Sequence, residues 1–128
     1  MKEKEIIVVK VEPMKTPTIT SITNDLDSLQ KAVSIGADYQ GLIELVYLED
    51  NVNLLLNEEG KLIGLPPNRR LGNEILCGVF YIVAEDNNGN LKSLSPAQQD
   101  RYLRMFWETN YISKDEISKT VFVKFIEG

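Results

Sequence analysis

The longest apolar run in the chain, Ile75-Leu76-Cys77-Gly78-Val79-Phe80-Tyr81-Ile82-Val83-Ala84, constrains its folding more than any other segment. It falls well short of the roughly 18 residues that suggest a membrane span. The run is apolar throughout rather than alternating, which predicts one long central strand buried on both faces; a short buried helix has the same periodicity. Asp86-Asn87-Asn88-Gly89-Asn90, just after it, is the strongest turn signal in the chain. Everything else has to be arranged around this run.

On its N-terminal side, residues 5–12 are β-branched and stop before Pro13, which reads as a strand. Met14 to Thr20 contains Pro17 and reads as an extended connection or an edge segment. A helix is expected to begin at Thr23 or Asn24, with Asp25 and Asp27 in its first turn, Leu26, Leu29 and Val33 on one face, and a stop at Gly36. Residues 42–48 and 52–56 read as strands joined by Glu49-Asp50-Asn51. A second reversal at Asn57-Glu58-Glu59-Gly60-Lys61 predicts a third meander strand, Leu62-Ile63-Gly64-Leu65, which Pro66-Pro67 terminates. After the central run, Ser95-Pro96-Ala97-Gln98 combines a serine cap, proline at the first helical position and glutamine three residues after the cap, so a second helix is expected to about Trp107. A weaker capping box, Ser113-Lys114-Asp115-Glu116, precedes a final expected strand over 120–126. The sum is an α+β fold: a mostly antiparallel, bent sheet of about five or six strands with two main helices.

The chain has 128 residues, no histidine and one cysteine, Cys77. One domain over 1–128 is expected, large enough to bury about two thirds of its unfolded surface without metals or disulfides. Missing histidine removes serine–histidine and cysteine–histidine catalysis and HExxH zinc sites, and a lone cysteine removes an internal disulfide. The formal net charge of −5 makes nucleic acid an unfavoured partner, although its mixed charge is too mild for a convincing DNA mimic. No membrane segment is expected. Ile6-Ile7-Val8-Val9, close to the start, is too short for the apolar core of a secretory signal, and together with the buried-looking Cys77 it points to the cytoplasm.

Three groups of residues have the chemistry to form a site. The first is Asn57, Glu58, Glu59 and Lys61, where paired carboxylates beside a lysine suit acid–base work or a divalent cation. The plainer reading is preferred: a tight turn with Gly60 in the left-handed conformation, the two glutamates diverging into water. The second is Asn68-Arg69-Arg70, read as a loop presenting arginine forks to a partner; the plainer reading is a solvated loop with Asn68 capping the turn, or Arg69 pairing with Glu58 or Glu59 across the hairpin. The third is the aromatic set on the second helix, with Leu103, Phe106 and Trp107 sharing one face and Tyr102 and Met105 beside it, read mainly as core with a possible interface edge. Cys77 reads as a small buried hydrophobe. No phosphate-cradling glycine loop or calcium loop is present, so neither a cofactor nor a metal is expected.

Several stretches resemble the DUF3846 family: the N-terminal Ile-Val-Val-Lys-Val-Glu-Pro, Asp27-Ser28-Leu29-Gln30-Lys31-Ala32-Val33, Leu42-Ile43-Glu44-Leu45-Val46, Asn57-Glu58-Glu59-Gly60-Lys61-Leu62, Pro67-Asn68-Arg69 and Gly78-Val79-Phe80-Tyr81-Ile82-Val83. The similarity spans about residues 6–106, leaving 107–128 as a C-terminal extension, and Ser34 to Gly41 is longer than the family's glycine turn. The resemblance implies small proteins of Firmicutes, their phages and conjugative elements, and assigns no activity or catalytic residues. The function expected is therefore a non-enzymatic, protein-binding accessory factor with Asn57, Glu58, Glu59, Lys61, Asn68, Arg69 and Arg70 as candidate contacts. The alternatives are a small enzyme using Glu58, Glu59, Lys61 and Arg69, or a nucleic-acid-mimicking inhibitor of host defence.

Overall fold

A computed structural model describes residues 3–113 and 115–117. The elements run β1 (Glu5–Val11), β2 (Thr18–Thr23), α1 (Leu26–Val33), β3 (Ile43–Glu49), β4 (Val52–Asn57), β5 (Pro67–Leu71), β6 (Glu74–Cys77), β7 (Phe80–Glu85), β8 (Leu91–Lys92) and α2 (Pro96–Met105). The fold is α+β with a six-stranded sheet, order β2-β1-β7-β4-β3, to which β8 adds by pairing with β7; β5 and β6 form a separate hairpin. All strand pairs are antiparallel.

β7 is the centre, as its composition requires. Ile82 lies opposite Val9 of β1 on one side and Leu54 of β4 on the other, and all three are fully buried. Alternation then sorts the side chains to two faces. One face carries Ile6, Val8, Leu55, Tyr81 and Val83 and is covered by Leu29 and Val33 of α1. The other carries Val9, Val11, Leu54, Phe80 and Ile82 and is covered by Tyr102 of α2, Phe106 at its C-terminal cap and Leu76 of the small hairpin. Phe80 and Phe106 meet edge to face with centroids 5.2 Å apart. A third, smaller cluster of Leu65, Ile75, Cys77 and Ile112 lies behind the hairpin.

The long apolar run is not one strand. Gly78 sits at φ +81°, a conformation that side-chain-bearing residues rarely adopt, and there the chain leaves the hairpin and enters the main sheet. The expected third meander strand is also absent: residues 58–64 are turns. Asn57 diverts the backbone from the ladder, its carbonyl accepting from Gly60 N–H and its side-chain oxygen from Glu59 N–H. Gly60 is not left-handed; Gly64 is. Gly60 is needed for close approach instead, because a Cβ there would lie 2.9 Å from the Cys77 carbonyl oxygen. Pro66-Pro67 does not end the sheet segment, since Pro67 opens β5, a position where the missing N–H is tolerated.

The helix boundaries differ by a turn or less. Asp25, not Thr23 or Asn24, caps α1 by accepting from Ser28 N–H, because Asn24 is buried and donates to the carbonyls of Glu3 and Leu91. α1 ends at Val33, ahead of Gly36. The Ser95 capping box of α2 is formed as expected, but the helix stops at Met105. Ser113 accepts from Glu116 N–H at the second capping box; the strand expected over 120–126 lies outside the described residues. No helix among the described residues is long and apolar enough to cross a membrane.

Candidate functional site

The structure separates the two polar clusters that the sequence places close together. Asn68 and Arg69 belong to β5 and are buried, at 0% and 2% exposure. The Asn68 amide donates to the carbonyls of Val11 and Gly78, both at 2.8 Å, and its oxygen accepts from Arg69 Nη1 at 2.7 Å. Arg69 donates from Nε to Phe106 O at 3.2 Å, from Nη2 to Lys15 O at 2.6 Å, and from Nη1 to the carbonyls of Asn68 and Glu12. Its partners are therefore backbone carbonyls and one amide. The loop reading and the expected Arg69–Glu58 or Arg69–Glu59 pair are both corrected. Burial holds the Arg69 guanidinium below its usual pKa, and the carbonyl at the C-terminal end of α2 supplies compensating negative potential. This side chain ties the β1–β2 turn, β5 and the end of α2 together.

Arg70 points the other way. It forms a two-pronged ion pair with Glu116 at 2.6 and 2.7 Å and donates to Tyr111 O, while its own N–H is held by Asn110. That pairing raises the Arg70 pKa and lowers that of Glu116. Its two bonds to one carboxylate fix the segment after α2 against β5. In the aromatic set, Tyr102 and Phe106 are the buried pair, whereas Trp107 is 54% exposed, because α2 ends before Trp107 and the chain turns it outward.

The other cluster lines a groove of about 430 Å³ between the β3–β4 ribbon and the β5–β6 hairpin, with the 58–62 turn at one end. Asn57, Glu58, Glu59 and Lys61 all border it, and Asn68, Arg69 and Arg70 do not. Its floor is apolar, formed by Val46, Leu56, Leu71 and Leu76; Cys77 borders it, and burial pushes the pKa of its thiol up. Its rim carries Glu44, Glu58, Glu59 and Glu74 against Lys61 alone. Lys61 is engaged, donating to Glu74 at 2.8 Å. Glu59 accepts from Tyr39 OH at 3.3 Å, and Glu44 and Glu58 have no ion-pair partner among the described residues. Excess carboxylate around an apolar trough gives the groove a negative mouth.

Glu44, Glu74 and the floor were not singled out from the sequence, because they converge only once β5 and β6 pair. The signal for that pairing is the two-residue Gly72-Asn73 turn, with Gly72 at φ +59°. Among the described residues no three acidic or cysteine side chains converge closely enough to hold a metal ion. An enzyme site built from Glu58, Glu59, Lys61 and Arg69 lacks its arginine, which is spent on backbone carbonyls across β5.

A small α+β domain of this kind, with a helix on one face of a six-stranded sheet and a helix plus a hairpin on the other, is the class that the fold defines. The chain belongs to the family described as "Domain of unknown function (DUF3846)", matched over residues 3–107. No curated protein and no solved structure matches it.

Proposed function

We propose that the protein is a non-enzymatic binding module whose groove takes a basic, partly apolar segment of another protein. One observation carries this reading: the groove joins an apolar floor to a rim with four carboxylates and a single, already paired lysine. A lysine or arginine at the rim with Leu-, Val- or Phe-like side chains on the floor would satisfy both parts, the apolar contacts supplying affinity and the charges supplying orientation and encounter rate. The genomic setting implied by the family resemblance, phages and conjugative elements, suits an accessory protein that contacts a host or element protein. Enzymatic readings have less support, since Arg69, which the candidate acid–base set requires, lies outside the groove and donates to backbone carbonyls.

The test is selection from a displayed library of random peptides, followed by fluorescence polarisation with the enriched sequences. Basic peptides with two or three apolar residues are expected to dominate. The double change Glu58→Gln and Glu59→Gln is expected to weaken them about fivefold to tenfold at low salt, the difference closing as salt screens the rim. Enrichment of acidic or purely polar peptides, or binding indifferent to both substitutions, would rule the reading out.

A further inference from the structure

The two edges of the main sheet are built differently. β3, at one edge, carries Glu44 and Glu49 and a register shift between Tyr47 and Glu49. Charges and bulges of this sort discourage pairing with another strand. β2, at the other edge, reads Thr18-Ile19-Thr20-Ser21-Ile22-Thr23, with no charge, no proline and an unbroken register against β1. Ile19 on β2 and Ile7 beside it on β1 are exposed.

The backbone of β2 has a defined outward pattern. Ile7 sends its N–H to Ser93 Oγ at 2.8 Å and its carbonyl accepts from Leu94 N–H at 2.9 Å, so both point away from β2. Ile7 lies opposite Ser21, which makes that a non-hydrogen-bonded pair of the antiparallel ladder. The N–H and C=O of Ser21 therefore face the open edge, as do those of Ile19 and Thr23, two residues to either side. No hydrogen-bond partner for these groups occurs among the described residues.

We infer that β2 pairs with β2 of a second copy of this chain, antiparallel about a twofold axis through Ser21. In that register Ser21 meets Ser21, and Ile19 meets Thr23 on each side of the axis. Each pair exchanges two backbone hydrogen bonds, and every outward group on the strand is used. The twofold axis keeps each sheet face continuous, brings small side chains together at the centre and sets no like charges opposite each other. β3 offers no such match, because its ladder shifts register between Tyr47 and Glu49 and it carries two carboxylates, and a β2–β3 contact would give an open filament rather than a closed dimer. The interface is one short strand, at the small end of the range for specific association, so a dissociation constant of about micromolar is expected. The dimer would hold two grooves at opposite ends of a shared sheet.

Light scattering coupled to size exclusion, over a dilution series from high to low micromolar, tests the proposal. The mass is expected to pass from twice 14.5 kDa to 14.5 kDa on dilution. Ser21 is exposed and its N–H is not used by β1, so Ser21→Lys and Ser21→Glu should fold, as circular dichroism will verify. Each is expected to raise the dissociation constant about tenfold or more by opposing like charges, and an equimolar mixture of the two is expected to restore the dimer. Leu45→Lys on β3 is expected to leave it intact. A wild-type chain monomeric at every concentration would overturn the inference, whether β2 is left open or is covered by the chain's own residues. So would a dimer that survives Ser21→Lys or dissociates on Leu45→Lys.

Discussion

Arg69→Ala removes the side chain that joins three parts of the molecule, and its cost can be worked from the bonds it makes. The carbonyls of Phe106 and Asn68 and the Asn68 side-chain oxygen take their hydrogen bonds in buried surroundings, whereas the carbonyls of Glu12 and Lys15 are partly buried and can turn to water. Leaving a buried acceptor unsatisfied costs about 1–3 kcal/mol. Against this, the substitution removes a charge that no carboxylate among the described residues neutralises, and so recovers part of its desolvation. The net expectation is a loss of about 3 kcal/mol, a large share of the roughly 5–15 kcal/mol available to a domain of this kind. In equilibrium urea unfolding followed by far-ultraviolet circular dichroism, a slope of about 1.5 kcal/mol per molar places the midpoint about 2 M lower. Arg69→Lys, with its charge kept but the planar fork lost, is expected to fall in between. Arg69→Met is the decisive variant, because it retains the packed stem and discards the charge. If backbone satisfaction is what matters, Arg69→Met is destabilised by about 2 kcal/mol, and amides at the β1–β2 turn and in the last turn of α2 exchange faster. A methionine variant as stable as the wild type would show that the charge cancels what its hydrogen bonds contribute, and the clamp argument fails.

Two further outcomes follow from local geometry. Glu49 on β3 accepts from both Arg101 and Tyr102 of α2, and these bonds, Arg101's first, hold its pKa below the ordinary 4.5. A carboxyl depressed on folding adds stability that is present above the unfolded value of about 4.5 and fades as pH falls through the folded value. Glu49→Gln is therefore expected to flatten the acid limb of a stability–pH profile below about pH 5 and to leave the slope near neutrality unchanged; an unaltered acid limb would refute the coupling. Gly78→Ala is expected to cost about 1–3 kcal/mol, since it forces a side chain into the left-handed region and sets a Cβ 2.8 Å from Leu65 Cδ1. Thermal unfolding reads that loss, and a midpoint within a degree or so of the wild type would contradict it.

The parts of the fold legible in the sequence are those governed by local signals. Ser95, Pro96 and Gln98 specify the start of α2 through contacts within one turn, and the β-branched composition of β1 and the apolar composition of β7 mark them as strands on their own. Sequence pattern and structure part where hydrogen bonding, local at Asn57 and long-range at Arg69, overrides the composition of a segment. Leu62-Ile63-Gly64-Leu65 has the composition of a strand, but Asn57 captures the backbone N–H groups that follow it. Arg69 between Asn68 and Arg70 has the composition of a solvated loop, yet five acceptors from 12, 15, 68 and 106 gather around it. Residues so far apart in sequence leave no periodicity to read. The same holds for the groove: Glu58, Glu59 and Lys61 were visible as a cluster, while Glu44, Glu74 and the floor were not.

Gly78 links these observations. Were 75–84 one straight strand, Ile75, Leu76 and Cys77 would extend the main sheet and no second layer would form beside α2. The left-handed bend instead sends β6 out to pair with β5, and Asn68 fastens the bend by donating to the Gly78 carbonyl while Gly78 N–H donates to Pro66 O at 2.7 Å. That pairing places Leu71 and Leu76 opposite Val46 and Leu56, which opens the groove, and orients Arg69 inward to the carbonyls of the β1–β2 turn and α2. One backbone conformation thus sets both the clamp and the groove. A substitution at Gly78 that leaves the domain folded should therefore alter peptide binding and the exchange protection around Arg69 together, whereas independent changes in the two would mean that the hairpin is held by other contacts.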